Sequence, residues 1–368
     1  MRRTSHLRLR ALQACSLAAL ALAAAGPAMA ANTIKLDVTG SGNGVKTLSI
    51  NQDATNHTNT ITSDGTAGGG QLTVLGKWKT ISISQTGFGN VLKTVSGITG
   101  DTASTDANLS LTYISAATGG KNIHSLSIGG TTAPTDAAVT VSMTNNDAVN
   151  AANNTLTDVL DGTSLGYTLD LVGANNTISN TIAATGAVTL NEIVHGGTSA
   201  SGNTVTNSIT GADSASVTLA VYSNGNTITN TSDGAGDKTI SITLPSGGAS
   251  GNTISNNFTG GTGAQSSSLL VTGVTSRINF GLIASGATTT SSVTLADVVG
   301  AAGAAAKLAL SQTGANANLT LAVNGGGFAM GSSLSGGAGV LITQASPGAV
   351  LNANINAVAD AYTYSISQ

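Results

Sequence analysis

The chain has 368 residues, of which 8% are charged and 3% aromatic, and its net charge is −3. A typical soluble domain is about a quarter charged. Here Gly, Ala, Ser, Thr and Asn fill the gap, while Val, Ile and Leu alternate with polar residues throughout, unlike in a flexible linker. The sparse, weakly acidic charge excludes nucleic acid and anionic lipid as partners, because both are bound by clustered Lys and Arg.

Residues 1–30 have the pattern of a secretory signal peptide. Four arginines between Arg2 and Arg10 precede the apolar run Ala14–Ala25, and Ala28-Met29-Ala30 forms an A-x-A cleavage site. The apolar run is shorter than the roughly 20 residues of a permanent membrane helix, and no second long run follows. We therefore expect an exported bacterial protein, secreted or held at the cell surface, with no transmembrane segment in its mature chain.

Cleavage after Ala30 changes the chemistry of the remaining chain. It removes Cys15, the single cysteine, and the four leader arginines, which leaves 9 Lys and Arg against 16 Asp and Glu, a net charge of −7. The mature chain can therefore form no disulfide, and it has no thiolate to act as a nucleophile or metal ligand.

Strict alternation of apolar and hydroxyl residues predicts β-strands along the mature chain. Examples are Thr80–Ser84, Val217–Val221 and Thr239–Leu244, each with one dry face. A helical period is absent after the leader, except that residues 298–310 could form a short helix, which their glycines disfavour. The predicted fold class is all-β.

A hexapeptide recurs through the middle of the chain. Its second-position asparagines are spaced 22, 27, 23 and 26 residues apart, and alternating strands precede four of the five copies: NNTLTD (153–158), NNTISN (175–180), GNTVTN (202–207), GNTITN (225–230) and GNTISN (251–256). One repeat is thus strand, Gly/Asn turn, strand and loop. Such a unit cannot bury its apolar face alone, so its copies must stack in register.

Stacking of these repeats predicts a β-solenoid of strand-turn-strand units of about 22–27 residues, with residues 31–368 as one repeat domain. Insertions between repeats are expected to fall in loops along one edge. An irregular stretch near residues 269–308 leaves open whether the stack continues there. Handedness is not encoded in the pattern.

Two roles compete for the repeated asparagines. Asn is a common turn former, and stacked Asn side chains can also form amide ladders between in-register strands. The asparagine that opens the hexapeptide beside Gly is assigned mostly to the turn. The closing asparagines lie two residues beyond an apolar position, so they share its face and are predicted to point inward as a ladder: Asn180, Asn207, Asn230 and Asn256.

One segment resembles the repeats of curlin, the subunit of bacterial curli fibres, which carry Gln-x-Gly-x-x-Asn between two strands. Residues 83–90 contain this motif as Gln85, Gly87 and Asn90. A second segment keeps Gln312 and Gly314 but displaces the asparagine by one. The central repeats lack the glutamine and are longer. The resemblance implies export as a soluble monomer and templated growth of a cross-β fibre in the biofilm matrix, with a nucleator or secretion accessory protein as partner.

Catalytic and metal-binding constellations are thin. Glu192 is the sole glutamate, and His195 lies three residues after it, so the two side chains could meet on a helix. The glycines that follow His195 favour a loop there instead of a helix. The segment Asp233–Asp237 weakly resembles a calcium loop, but a Gly/Asp turn is favoured. We predict no enzyme activity, no cofactor and no metal.

Two functional interpretations remain. One is a self-associating structural subunit of a curli-like functional amyloid or surface fibre, which contributes to biofilm and adhesion. The other is a monomeric or cell-attached β-solenoid adhesin. A surface glycan is an open alternative as its ligand, because glycans can bind to aromatic side chains. Packing in the core or at an end of the solenoid is favoured for the few aromatic residues, namely Trp78, Phe88, Tyr362 and Tyr364. A carbohydrate-active β-helix enzyme ranks third, because it would need clustered carboxylates. Polymerisation requires matching ends, and the strands near Leu48 and Tyr364 have little charge beside them, which favours the fibre.

Overall fold

In the computed structural model, the described residues are 31–35, 37–40, 47–62, 73–76, 80–93, 108–117, 123–128, 136–145, 154–173, 175–195, 202–245, 251–275, 278–298, 307–313, 316–325, 339–344, 348–357 and 364–367. The predicted signal peptide, Trp78, Tyr362 and Gly314 lie outside them.

The described part of the chain is all-β. Its strands are β1 (Ala31–Lys35), β2 (Asp37–Gly40), β3 (Thr47–Thr62), β4 (Thr73–Gly76), β5 (Thr80–Lys93), β6 (Asn108–Ala117), β7 (Ile123–Ile128), β8 (Asp136–Asn145), β9 (Thr155–Gly162), β10 (Ser164–Val172), β11 (Thr177–Ala184), β12 (Ala187–His195), β13 (Thr204–Thr210), β14 (Ser214–Tyr222), β15 (Thr227–Asp233), β16 (Lys238–Leu244), β17 (Asn252–Thr259), β18 (Ala264–Thr275), β19 (Ile278–Ala284), β20 (Thr288–Val298), β21 (Lys307–Gln312), β22 (Asn318–Gly325), β23 (Gly339–Gln344), β24 (Val350–Ala357) and β25 (Tyr364–Ser367).

These strands form a β-solenoid, which confirms the predicted fold class. From β8 onward each strand pairs in parallel with the strand two positions along the chain, so even-numbered and odd-numbered strands build two separate ladders. The first ladder runs β3, β5, β6, β8 and on through the even strands to β24. The second runs β1, β3, β5, β7, β9 and on through the odd strands to β25. The long strands β3 and β5 pass through both ladders, and β2 pairs with β4 in a small separate sheet.

Period-two patterning explains how the two ladders close on one core. In β11 the residues alternate between exposed or half-buried positions and fully buried ones, and Ile178 and Ile182 are both 0% exposed. Facing them are buried apolar residues of β10 such as Leu169 and Leu171. Because successive side chains of a strand point to opposite faces, each ladder has a dry inner face and a hydroxyl-rich outer face.

The described parts of the stretch from Leu269 to Leu308 continue the stack. Strands β18 to β21 each pair with neighbours on both sides, and among these described strands a register shift occurs between Val271 and Val274 in β18. Of residues 298–310, for which a short helix was an alternative, Val298 ends β20 and 307–310 belong to β21, while 299–306 are outside the described residues. No helix among the described residues is long and apolar enough to span a membrane.

Stacked turns bring main chains of successive repeats very close together. A Cβ atom on Gly236 would lie 1.2 Å from the main-chain oxygen of Asp213 in the preceding turn. Only glycine fits at such a position, which explains why a residue that weakens strands recurs at the edge of the solenoid.

Candidate functional site

The closing asparagines form a column of side-chain hydrogen bonds inside the solenoid. Asn180 donates from Nδ2 to Oδ1 of Asn207 at 2.9 Å, Asn207 donates to Asn230 at 3.0 Å, and Asn230 donates to Asn256 at 3.0 Å. All four are 0–1% exposed and pair in register across β11, β13, β15 and β17. Asn256 then donates to the hydroxyl of Ser267 on the first ladder at 3.0 Å. We refer to these four residues as the inner column.

The opening asparagines form a second column at the turn between the ladders. Each Nδ2 donates to Oδ1 of the next residue at 2.7–3.1 Å, in the order Asn154, Asn176, Asn203, Asn226 and Asn252. The main-chain N–H groups of Asn176, Asn203 and Asn226 donate to the same oxygens. These residues were assigned mostly to the turn, and the structure shows that they also bind the repeats above and below. We refer to them as the turn column.

Glu192 is a buried carboxylate that accepts hydrogen bonds from two residues of the inner column. It lies on β12, not in a loop as the following glycines suggested, and it is 1% exposed. Its two carboxylate oxygens each accept a hydrogen bond of 2.7 Å, one from Nδ2 of Asn180 and the other from Nδ2 of Asn207. The pKa of Glu192 is raised from 4.5 to about 7, chiefly by burial. The charge of Asp158 acts in the same direction, while the two amide hydrogen bonds oppose the rise.

Asp158 occupies the position of the inner column one repeat before Asn180. The hydroxyl of Tyr167 donates to its Oδ2 at 2.6 Å, and Nε2 of His124 lies 3.0 Å from its Oδ1. All three residues are buried, and burial raises the pKa of Tyr167 well above its ordinary value, with the charge of Asp158 acting in the same direction. His124 and Asp158, which come from different repeats, are therefore brought together, whereas His195 lies on the outside, stacked on Tyr222.

The curlin-like residues fall on this framework in two different places. Gln85 is fully buried in the first-ladder half of β5 and accepts a 2.7 Å hydrogen bond from the hydroxyl of Tyr113. The following Gly87 pairs with Ala117. Val91, the residue after Asn90, pairs with Ile123 on β7. Ile123 pairs in turn with Thr155, the residue after Asn154. Asn90 thus has the same place in the repeat as Asn154, so it belongs to the series of the turn column.

Gln312 closes a strand of the second ladder instead of the first. Its side chain is buried, accepts a hydrogen bond of 2.9 Å from Nε2 of Gln344, and donates to the hydroxyl of Ser291 at 2.9 Å. Gln312 and Gln344 are in register, so they stack as the asparagines do. The two curlin-like segments therefore lie at opposite turns of the solenoid.

Lys238 is a buried residue that sequence reasoning missed. Its side chain returns to the Asp233–Asp237 turn, where Nζ donates to the carbonyl oxygens of Gly234, Gly236 and Gly260. Desolvation lowers its pKa, and Asp233 and Asp237 oppose that effect. The segment is thus a turn held by an ammonium group. Within the described ranges, no three His, Cys, Asp or Glu side chains are grouped so as to hold a metal ion.

Alignment of the hexapeptides could have identified Asp158 as an inward residue, because the first hexapeptide ends in Asp at the position where the later ones end in Asn. Together the columns join the neighbouring repeats from β9 to β17 by polar side-chain bonds. These side chains are shielded from solvent, so the hydrogen bonds that they form hold neighbouring turns of the solenoid together. No protein-family model, curated protein or solved structure matches the chain.

Proposed function

We propose that the chain is an exported structural protein that assembles end to end into a curli-like fibre of the extracellular matrix. The observation that carries this proposal is the pair of parallel, in-register ladders. Each turn of the described solenoid offers a matching edge to the next through main-chain hydrogen bonds along the strands, and the turns from β9 to β17 also share amide columns inside.

The last described turn supports the proposal, because its strand β24 leaves an inner position uncovered. Ala353 on β24 pairs with Leu321 on β22, which is 1% exposed. Ala353 itself is exposed although it occupies the same inward position. Among the described strands, β24 pairs only with β22 and β25 only with β23. A following copy whose first turn stacked on this edge would cover Ala353 and pair the free backbone groups.

Addition of one copy on the end of another is a head-to-tail contact, and such contacts generate open filaments when the rotation does not close. The curlin-like position of Asn90 in the turn-column series fits the same scheme. In this scheme the amide columns of one subunit would continue into the next.

The test is seeded growth of the chain from Ala31 onward, which holds every described residue. Thioflavin fluorescence should rise without a lag when preformed seeds are added, and the product should give a cross-β reflection near ~4.8 Å. A chain that stays monomeric at high concentration, with no such reflection, contradicts the fibre and leaves the adhesin.

A matched pair of variants locates the joint. Ala353→Asp places a charge on the uncovered inward position, where a following turn would bury it, so seeded growth should stop. Asn352→Asp adds the same charge on the outer face of the same strand, and growth should continue. Equal growth of both variants would show that this edge is not the joint.

A further inference from the structure

Three polar residues in consecutive turns form an in-register column on the inner face of the first ladder. Lys238 on β16 pairs with Gln265 on β18, and Gln265 pairs with Thr289 on β20. All three are at most 1% exposed. The same column holds Val188 and Ala215 in the two preceding turns. Polar side chains thus replace apolar ones at a buried position, which requires partners for them.

The side-chain amide of Gln265 is held by main-chain groups of two turns. Its Oε1 accepts hydrogen bonds from the N–H groups of Ser285 at 2.8 Å and Gly286 at 2.9 Å. Its Nε2 donates to the carbonyl oxygen of Gly260 at 3.3 Å. Two N–H groups that converge on one carbonyl oxygen stabilise the negative charge that this oxygen gains when a nucleophile attacks the carbon. Cδ of Gln265 is therefore activated for nucleophilic attack.

The amine of Lys238 is held beside this amide. Its Nζ donates to the carbonyl oxygen of Gly260 at 3.4 Å, so the lysine nitrogen and the glutamine nitrogen share one acceptor. The carbonyl oxygens of Gly234 and Gly236 hold Nζ from its own turn. An amine fixed next to an activated carbonyl group reacts far faster than the same groups free in solution. Desolvation also lowers the pKa of Lys238, which increases the fraction of neutral, nucleophilic amine.

We propose that Nζ of Lys238 attacks Cδ of Gln265 and forms an isopeptide bond between two successive turns of the solenoid. A bond forms between Nζ and Cδ, and the bond between Cδ and Nε2 breaks, so ammonia leaves. The lysine ammonium first loses one proton, for which the nearby carboxylates of Asp233 and Asp237 are acceptors. A second proton passes from Nζ to the departing nitrogen. The overall reaction releases one ammonium ion and requires no oxidant or reductant.

Thr289 is the competing nucleophile, because its buried Oγ1 has no hydrogen-bond partner among the described residues. A hydroxyl group must lose its proton to attack, and Asp233 and Asp237 lie in the turn before β16, two turns away from β20. An amine attacks an amide carbon in its neutral form without that help. The geometry therefore favours Lys238, and an ester bond to Thr289 is an alternative outcome of the test.

The proposed bond lies where the amide columns end. Asn252 pairs with Ile278 and Asn256 pairs with Leu282, so neither column continues as asparagine from β17 to β19. An isopeptide bond between β16 and β18 joins these turns covalently, in a chain whose residues 31–368 contain no cysteine for a disulfide. The inference is independent of fibre assembly, because both residues belong to one subunit.

The experiment is mass spectrometry of the chain from Ala31 onward, purified in its folded form and then denatured. We expect an intact mass that is lower than that of the sequence by one molecule of ammonia. A protease digest should yield a branched peptide in which tandem mass spectrometry locates the link between Lys238 and Gln265. An unmodified mass without this branched peptide overturns the proposal, and so does a loss of ammonia that maps to other residues.

Two variants of the buried column identify the nucleophile. Lys238→Arg keeps the positive charge and N–H donors for the carbonyl oxygens, but its guanidinium group stays protonated and does not attack. Thr289→Val removes the competing hydroxyl group and keeps the amine. We expect Lys238→Arg to have the unmodified mass and Thr289→Val to keep the link, and circular dichroism verifies that both remain folded. A loss of ammonia that persists in Lys238→Arg, or one that disappears in Thr289→Val alone, overturns the proposal. If a variant fails to fold, the branched peptide of the wild-type chain decides the question by itself.

Discussion

Glu192 makes the stability of the solenoid depend on pH in a specific direction. Its pKa is about 7 in the folded chain and close to 4.5 when the chain is unfolded. Below pH 4.5 the group is protonated in both states and has no effect. Between pH 4.5 and 7 the folded chain keeps the proton and the unfolded chain releases it, so stability falls as pH rises. Above about pH 7 the loss is complete.

The magnitude of this loss follows from the shift. A difference between 4.5 and about 7 corresponds to about 3 kcal/mol of unfolding free energy. The cause is desolvation, since the carboxylate is 1% exposed. The amide hydrogen bonds from Asn180 and Asn207 favour the charged form, and without them the shift would be larger.

Urea unfolding of the chain between pH 4 and 8 measures the effect, followed by circular dichroism and tyrosine fluorescence so that coincident transitions justify a free energy. Glu192→Gln removes the titrating group and should flatten the profile between pH 5 and 7. At pH 4 it should cost about 1–3 kcal/mol relative to wild type, because an NH₂ group then faces an asparagine NH₂. This difference should disappear or reverse by pH 8, where wild type has lost about 3 kcal/mol through ionisation of Glu192.

Asp213→Asn is the control for this comparison, because it removes a carboxylate from an exposed turn residue and should keep the wild-type slope. A Glu192→Gln profile with the same slope as wild type would refute the reasoning. So would a wild-type stability that rises between pH 5 and 7.

Three further substitutions test the polar groups and the turns. Asn207→Ala removes three side-chain hydrogen bonds of Asn207 and should lower the unfolding free energy by about 1–3 kcal/mol. The control Asn191→Ala, at an exposed position on β12, should change the unfolding free energy by less than about 0.5 kcal/mol. Similar urea midpoints for the two variants would return the inner asparagines to a turn role. Gly236→Ala forces the stacked turns apart and should lower the unfolding free energy by about 3 kcal/mol. The control Gly166→Ala places a Cβ atom 3.8 Å from its nearest neighbour and should fold normally by circular dichroism. Equal melting temperatures of the two variants would refute the close approach at Gly236. Lys238→Met leaves three carbonyl oxygens without their ammonium donor and should lower the melting temperature, a result that an unchanged scanning-calorimetry trace would contradict.

The hexapeptide repeat and the period-two patterning together predicted the solenoid, but the patterning was misjudged at Glu192. Val188, Leu190 and Val194 share the parity of Glu192 on β12, so the pattern itself places the carboxylate inside. Gly196 and Gly197, which follow this strand, favoured a loop over that placement. The partners that permit the burial, Asn180 and Asn207, come from other strands, and no local rule connects them to it.

The turn column was missed for a related reason. Asn beside Gly is an ordinary turn signal, and a turn alone accounts for Asn203 or Asn226. What a single repeat cannot show is that the loops, despite their unequal lengths, bring every copy back to the same register. The stacking of Asn226 on Asn252 is therefore a property of the ladder as a whole.

The inner column has a role that an apolar core could not fill. A strand with only apolar inward residues can slip by two positions and keep its dry face inside, because the side-chain period is two. A slip of two residues at β13 would place Val205 or Ile209 against Asn180 and Asn230, and it would leave buried amide groups without partners. Each unpartnered group costs about 1–3 kcal/mol, so the asparagines fix the register of every turn they occupy. In the proposed fibre the same penalty would apply at the joint between subunits, which would then grow only in the register that continues the polar columns.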